Sequence, residues 1–312
     1  MTSVDERNYL TQDEVKQVQL HMLDMFDAFC KENNLTYWLA FGTLIGAVRH
    51  EGYIPWDDDL DVMMPFSSYR RFEELACTEY GREFFGKDNV RVGSMNVSND
   101  IPYHNTFIKL YDDRTRAKTS LLACKREGFQ EAVFIDVFPI FGWDGTAEHI
   151  EKRKQADEIY RHLRYASEIF GSVISEGKKA LLRKIIGYIP SRIHGYKYYL
   201  KEFDKIRNTF PDALDREIWL FFEDGSAPIP MGKNETTVTV QFEGRLVPAP
   251  THYDILLRNI YGDYMQLPPE EERIPSHAQN FYWVNASEET ENTTCAESAV
   301  NANDGTTAQG KK

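Results

Sequence analysis

The stretch that decides the fold is WLAFGTLIGAVRHEGYIPWDDDLDVMM, which spans residues 38–64. It places four carboxylates within five positions, at Asp57, Asp58, Asp59 and Asp61. Carboxylates this close together repel one another, and each raises the pKa of its neighbours. A divalent cation held by their hard oxygen atoms relieves that repulsion. The stretch therefore predicts a metal site beside apolar sequence.

The alternation within this stretch predicts a β-strand. Residues two apart on a strand point to the same side of the sheet. Asp59 and Asp61 are therefore expected to face one site, while Leu60 and Val62 face a core. The alternative is a solvated acidic turn, which the flanking apolar residues, Trp56 among them, make a poor fit.

A third acid is predicted from a second apolar run. Asp136 lies at the centre of FIDVF, residues 134–138, in a strand predicted to end at Pro139. An unpaired acid in an apolar core is costly, so a metal ligand or a proton acceptor would explain it. The alternative is a structural ion pair with a buried arginine.

Residues suited to binding a phosphate lie before and after the acidic stretch in the sequence. Gly42 and Thr43 are expected in a turn, where glycine lets backbone N–H groups approach a phosphate closely. Arg49 and His50 would neutralise phosphate charge, and Lys109 would reach a nucleotide. The alternatives are an ordinary turn, a surface ion pair and a solvated lysine on an edge strand.

The remaining patterns predict an α+β protein. Thr11 and Glu14 form a capping box that opens a helix with apolar residues at helical spacing. A catalytic core is expected over residues 1–145, a helical subdomain over 146–222, a C-terminal part completing the core over 223–285 and a disordered tail over 286–312.

Composition limits the classes of function. A net charge of −13 over 312 residues argues against a nucleic-acid groove, and the four scattered cysteines fit neither a zinc site nor a disulfide framework. With no secretory leader or membrane-length apolar run, a cytoplasmic protein is expected. The stretch 185–193 has basic neighbours, so it suits either peripheral membrane contact or an ordinary amphipathic core helix.

The acidic stretch closely resembles a block typical of the LicD family, which includes the fukutin-related proteins. Further blocks resemble the family in the same order along most of residues 10–277. They are YWLAFGTL (37–44), FIKLYDDRT (107–115), FIDVFPI (134–140) and FEGRLVPAPTHYDILLRNIYGDYMQLPP (242–269). The chain lacks the anchor and the cysteines of the fukutin-related proteins, so it resembles the cytosolic bacterial kind.

The resemblance implies a nucleotidyltransferase-like mixed β-sheet flanked by helices. It implies a transferase that moves a phosphorylated alcohol, such as phosphocholine, from a CDP-linked donor to a hydroxyl of a cell-surface glycan or lipid-linked glycan precursor. The expected pathway is lipopolysaccharide or teichoic acid biosynthesis, with the protein either free in the cytoplasm or at the inner face of the membrane. Mg²⁺, or Mn²⁺ in its place, would bind Asp59, Asp61 and Asp136, with Asp57 and Asp58 supporting them.

Two other functions stay open at this point. A metal-dependent glycosyltransferase that uses a nucleotide-sugar also needs paired aspartates. A non-catalytic glycan-binding protein could retain the acids as a relic of an active site.

Overall fold

Helix α1 (Gln12–Glu32) packs across strands of a mixed β-sheet. It begins as the sequence predicts, with the Thr11 side chain accepting from the Glu14 N–H and the Glu14 carboxylate accepting from the Thr11 N–H at 2.7 Å. The computed structural model describes residues 8–96, 103, 105–117, 131–167, 189–212, 217–220, 229, 235–275 and 280–284. The predicted tail at 286–312 lies outside these residues, as do positions 185–188.

The central sheet has the strand order β1-β2-β6-β4-β3. Its strands are β1 (Trp38–Leu39), β2 (Asp61–Pro65), β3 (Val90–Gly93), β4 (Ile108–Asp112) and β6 (Phe134–Trp143), and β7 (Glu217–Leu220) also pairs with β6. The β2–β6 pair is parallel and the others are antiparallel. Two small sheets join β5 (Thr115–Ala117) to β10 (Phe281–Trp283) and β8 (Thr237–Phe242) to β9 (Arg245–Pro250).

Helices surround this sheet, which confirms the predicted α+β class. They include α2 (Phe41–His50), α3 (Phe66–Ala76), α4 (Glu79–Gly86), α5 (Ala147–Ser167), α6 (Tyr196–Arg207) and α7 (Tyr253–Tyr261), with a short helical stretch at 189–194. Side chains of β2, β4 and β6 are fully buried beneath them, among them Val62, Leu110, Ile135, Val137 and Ile140. Among the described residues, no helix is both long and apolar enough to cross a bilayer.

The structure extends β6 beyond the predicted end at Pro139. The Asp136 N–H donates to Leu60 O on the β2 side, at 3.0 Å. Successive N–H groups alternate in direction along a strand. The Pro139 nitrogen therefore points to the opposite side, between the last residue paired with β4, Val137, and the first paired with β7, Ile140. The strand continues because proline removes no ladder hydrogen bond at that gap.

The predicted turn at Gly42 and Thr43 is instead the first turn of α2, which begins at Phe41. Phe41 has a φ of +46°, a left-handed conformation that is uncommon outside glycine, and its ring packs edge-on against Phe138. The chain therefore passes from β1 into α2 with only Ala40 between them, where a longer turn was predicted. It brings the N-terminus of α2 directly to the acidic stretch.

A buried arginine ties α6 to α3. Arg207 is fully buried, and it donates to Glu73 Oε2 at 3.1 Å and to Asp204 Oδ1 at 2.7 Å. The Asn96 amide donates to the same two carboxylates, at 3.1 and 3.2 Å. The range predicted to be helical also contains strand β7, because Glu217–Leu220 completes the edge of β6 beyond β4. The boundaries of the proposed subdomain stay a prediction.

Candidate active site

Strand pairing places three charged residues in one row. Asp61 on β2 is the register partner of Asp136 on β6, and Asp136 is the register partner of Lys109 on β4. Partners on neighbouring strands share a face of the sheet, so the row crosses three strands. All three residues are buried, with 8%, 7% and 6% of their surface exposed in that order.

Lys109 is the cation of this row. Its Nζ lies 2.7 Å from Asp136 Oδ1 and 3.4 Å from the centroid of the Phe134 ring. An ammonium group removed from water gains from both the carboxylate and the ring face. Lys109 is therefore not a solvated edge lysine, and Asp136 has a lysine partner where a core arginine was the alternative.

The acids fall into two groups. Strand β2 begins at Asp61, so Asp59 lies in the preceding loop and the predicted strand starts later than expected. Asp57, Asp58 and Asp59 each offer an oxygen within 4.8 Å of the other two. Within the described part of the chain, Asp61 and Asp136 do not join this triple at that distance. Asp61 and Asp136, which are partners across β2 and β6, form the second group.

Helix α1 holds the acidic loop by its backbone. The Gln12 amide donates to Asp57 O and the Gln19 amide to Asp58 O, each at 3.1 Å. The Tyr53 hydroxyl donates to Gln19 Oε1, also at 3.1 Å. Sequence reasoning missed both glutamines. The available signal was Gln19, a polar residue on the apolar face of α1 that is 1% exposed.

The β8–β9 hairpin braces the other side of the loop. Glu243 Oε1 accepts from the Tyr53 N–H at 3.1 Å, and the Glu243 N–H donates to Glu51 O at 2.9 Å. Arg245 pairs with Asp24 of α1 through two contacts of 2.6 and 2.8 Å. The acidic loop is therefore held from both sides by protein contacts.

The N-terminus of α2 contacts both groups of acids. Thr43 Oγ1 accepts a hydrogen bond from the Asp61 N–H at 2.9 Å. A Cβ placed on Gly42 would lie 2.7 Å from Asp57 Oδ2, so glycine is needed for that close approach. The N–H groups of the first turn of a helix and the positive end of its dipole favour negative charge here.

Arg49 and His50 lie at the opposite end of α2. Arg49 Nη1 donates to Tyr264 O at 2.5 Å and to Gln266 O at 3.4 Å, and its Nε donates to His50 Nε2 at 2.9 Å. Burial and the Arg49 charge lower the pKa of His50, which suits its role as an acceptor. In this structure Arg49 anchors the chain that follows α7, and its contact with a phosphate stays a prediction.

The electrostatics fit a divalent cation. Burial, together with the charge and hydrogen bond of Asp59, raises the pKa of Asp57 to about 8. Burial and then the charges of Asp59, Asp136 and Asp57 raise the pKa of Asp61 well above its usual range, against a smaller opposing effect of Lys109. Ionised together, these carboxylates need more positive charge than Lys109 supplies, and hard oxygen ligands suit Mg²⁺ or Mn²⁺.

A tyrosine that sequence reasoning missed also faces the acids. Burial of its hydroxyl and the charges of Asp61, Asp57 and Asp59 raise the pKa of Tyr261, at the end of α7. The residue as a whole is 45% exposed, so one edge of its ring borders solvent. Tyr261 thus lies at the rim of the site.

Paired acids on a mixed sheet beside a helix N-terminus are consistent with a nucleotidyltransferase-like domain. Residues 34–163 match a family model described as the LicD/FKTN/FKRP nucleotidyltransferase domain. The resemblance seen in the sequence is confirmed for residues 34–163, which match a LicD family domain.

A related protein matches more of the chain than the family model does. The chain is 29% identical over 284 residues to the lipopolysaccharide cholinephosphotransferase LicD of Haemophilus influenzae, covering 88% of this chain and 98% of that protein. Uncharacterised proteins of Rickettsia typhi and Rickettsia prowazekii match shorter parts. The first is 42% identical over 64 residues, 20% of each chain, and the second 64% identical over 31 residues, 10% of this chain and 12% of that protein. These matches support assignment as a transferase.

Proposed function

We propose that the protein transfers a phosphorylated alcohol from a CDP-linked donor to a hydroxyl of a cell-surface glycan precursor. The observation that carries this proposal is the buried row of Asp61, Asp136 and Lys109 beside the N-terminus of α2. The relative from Haemophilus influenzae is named a cholinephosphotransferase acting on lipopolysaccharide, so phosphocholine and a lipopolysaccharide precursor are the first substrates to test.

Asp59, Asp61 and Asp136 would hold Mg²⁺ or Mn²⁺, with Asp57 and Asp58 supplying further negative charge behind them. A bound divalent ion offsets charge on the donor diphosphate during phosphoryl transfer. Gly42 leaves the first turn of α2 open, so backbone N–H groups there can approach a donor phosphate. Thr43 keeps Asp61 in position through its hydrogen bond to the Asp61 N–H.

Asp136 is the proposed acceptor of the proton that the glycan hydroxyl loses on attack. Lys109 favours its ionised form, because an opposite charge 2.7 Å away stabilises a carboxylate. The same contact fixes the orientation of the carboxylate within the row. Lys109 therefore acts on the reaction through Asp136, a more specific role than the nucleotide contact first predicted for it.

The proposal is tested by incubating the purified protein with Mg²⁺, a panel of CDP-alcohols that includes CDP-choline, and candidate glycans. Release of CMP that depends on the glycan supports it, and the Asp61→Asn protein serves as the inactive control. Sugar transfer from a nucleotide-sugar would instead indicate a glycosyltransferase. A protein that binds glycan but neither nucleotide nor metal would be a binding protein with a relic site.

A further inference from the structure

Three phenylalanine rings adjoin the buried charged row of the candidate site. Phe138 lies two residues after Asp136 on β6, so both side chains project from the same face of the sheet. The Phe138 ring centroid is 4.5 Å from that of Phe107 and 5.3 Å from that of Phe41. All three phenylalanines are partly exposed. We call them the phenylalanine cluster, and it gives the site an aromatic border that solvent reaches.

The strand register sets the spacing between the cluster and the acids. Asp61 pairs with Asp136 across β2 and β6, and Met63 pairs with Phe138. Phe138 therefore occupies the next row of side chains, about 7 Å along the strands from the acids. A ligand held by the acids can thus reach the cluster with a short side group.

Contacts from three parts of the chain position the rings. Phe41 is the first residue of α2, at a φ of +46° that residues other than glycine rarely adopt. Such a conformation persists only where its surroundings hold it, and residues of this kind concentrate at binding sites. The hydroxyl of buried Tyr103 donates to Phe107 O, and the backbone of Phe138 is paired with β2. The three rings therefore meet through the tertiary fold.

Aromatic rings on this face already contact one ammonium group. The Nζ of Lys109 lies 3.4 Å from the centroid of the Phe134 ring and 5.5 Å from that of Phe107. The face of an aromatic ring attracts a cation through the ring quadrupole. Phenylalanine has no polar atom with which to bind a hydroxyl. The cluster therefore suits a quaternary ammonium, which has no N–H to satisfy, better than it suits a polyhydroxy alcohol.

We infer that the phenylalanine cluster binds the quaternary ammonium head of the transferred alcohol, and so selects choline among the possible alcohols. This inference rests on the proposed function. In that reaction the glycan hydroxyl oxygen bonds to the donor phosphorus that carries the alcohol, and the bond from that phosphorus to the oxygen of CMP breaks. CMP leaves with the electron pair of that bond, and Asp136 accepts the hydroxyl proton.

The covalent structure of the donor favours the alcohol head over the base at this position. In CDP-choline an oxygen and two carbons separate the reacting phosphorus from the ammonium, whereas the cytosine lies beyond a second phosphate and the ribose. A phosphorus held beside Asp61 and Asp136 would therefore place the ammonium near Phe138, one row away. The neighbouring carboxylates also favour a cation over a neutral group.

Binding of CDP-alcohols tests the cluster without any transfer step. Calorimetry with Mg²⁺ and no glycan compares CDP-choline with CDP-glycerol and with CDP-dimethylbutanol, in which a carbon atom replaces the choline nitrogen. The last compound keeps the shape of choline and removes its charge. Wild-type protein should bind CDP-choline about tenfold more tightly than CDP-dimethylbutanol, because the ring faces attract the charged head.

Variants that remove a ring assign this preference to the cluster. Phe138→Leu and Phe107→Leu keep an apolar side chain, and each should reduce the preference for CDP-choline to less than about threefold while leaving CMP affinity unchanged. Phe138→Tyr keeps the ring and should keep the preference. The control is Phe84→Leu, at a partly exposed ring of α4 whose centroid lies 5.1 Å from that of Phe29 in a separate aromatic cluster.

The inference is overturned if wild-type protein binds CDP-choline and CDP-dimethylbutanol equally, or if the leucine variants at 107 and 138 keep the preference. It is also overturned if those variants weaken the binding of CMP and CDP-choline alike, because the rings would then hold the cytosine. Circular dichroism confirms that each variant is folded before its binding is compared.

Failure of the cluster and failure of the proposed reaction give different results. Glycan-dependent CMP release from CDP-alcohols, without a preference for choline in binding, overturns the inference and supports the transfer proposal. If no CDP compound binds, the transfer proposal fails, and phosphocholine is compared directly with dimethylbutyl phosphate. A preference for phosphocholine that Phe138→Leu removes would still support the cluster as a quaternary ammonium site, and no preference would overturn it.

Discussion

The protein buries two clusters of charge, and they are balanced differently. Around Arg207, every charged group has a protein partner, and the Asn96 amide donates to both carboxylates. Around Asp61, carboxylates are crowded: Asp57, Asp58 and Asp59 each offer an oxygen within 4.8 Å of the other two, and Asp61 is the strand partner of Asp136, which Lys109 contacts. A buried charge is tolerated when it is paired. The chain therefore pairs its charges where it joins α6 to α3, and brings several like charges together where we propose that it binds a metal.

The largest expected effect is on transfer. Asparagine at 59, 61 or 136 keeps the shape of the side chain but removes a charge and a strong ligand. Each substitution should lower transfer by roughly 1,000-fold or more, about 4 kcal/mol of barrier. The Asp59→Asn and Asp61→Asn apoproteins should stay folded or melt slightly higher, because repulsion falls. The Asp136→Asn apoprotein should stay folded but melt lower, because it also leaves buried Lys109 without the carboxylate 2.7 Å away.

The measurement is CMP release with Mg²⁺, alongside thermal melting in EDTA. Asp57→Asn should cost less activity than these three, since Asp57 is proposed to lie behind the ligands. Near-normal turnover by Asp61→Asn would show that the metal assignment is wrong.

The next effect is on stability at the balanced cluster. Glu73→Gln removes one of the two negative partners of fully buried Arg207, and the buried one, so the free energy of unfolding should fall by about 3 kcal/mol in urea. Glu74→Gln is the matched control, because its pair with Arg71 is 3.3 Å long and its side chain is 55% exposed. That control should change stability by less than about 0.5 kcal/mol. Equal effects would mean that burial does not distinguish the two pairs.

Lys109→Met makes the sharpest contrast between the clusters. Without the lysine, Asp136 loses its partner, and the apoprotein should lose about 2 kcal/mol of stability. Mg²⁺ should restore most of that loss, because a divalent ion can take over the neutralisation of Asp136. Mg²⁺ should restore none of the loss in Glu73→Gln.

The readout for Lys109→Met is melting temperature with EDTA or Mg²⁺, and Lys109→Arg, which keeps the charge, should change least. The contrast fails if Mg²⁺ shifts the melting of Lys109→Met and Glu73→Gln by the same amount.

The smallest effect concerns pH. The raised pKa of Asp57, about 8, means that its carboxyl keeps a proton in the folded apoprotein where the unfolded chain has lost it. The unfolded state then binds fewer protons between about pH 4 and pH 8, so apoprotein stability falls as pH rises through that window. Asp57→Asn should make this fall in stability between pH 5 and pH 8 smaller, because the substituted side chain does not titrate.

This comparison uses melting curves in EDTA, with Asp13→Asn, on the exposed side of α1, as the control. The prediction is contradicted if the melting temperature of the wild-type protein falls no faster with pH than that of Asp57→Asn. Mg²⁺ should flatten the wild-type curve, since a bound cation stabilises the ionised carboxyl.

Sequence alone determined the features that depend on near neighbours. Thr11 and Glu14 cap α1 because both partners lie within one turn, and the apolar spacing that follows defines the buried side of that helix. The α+β class and the LicD family domain were also predicted from local blocks. The acidic run also predicts a cation site, because repulsion among adjacent carboxylates depends on their spacing. That site stays a prediction.

Only the tertiary structure decided which distant residues meet. Asp61 and Asp136 become neighbours through the parallel pairing of β2 with β6, and Lys109 joins them through the register of β4. Pro139 could stay within β6 because no strand needs its N–H at the gap between β4 and β7. Gln19 holds the acidic loop across a helix–loop contact. Each of these depends on a partner far along the chain, and local sequence preference does not identify which distant residue that partner is.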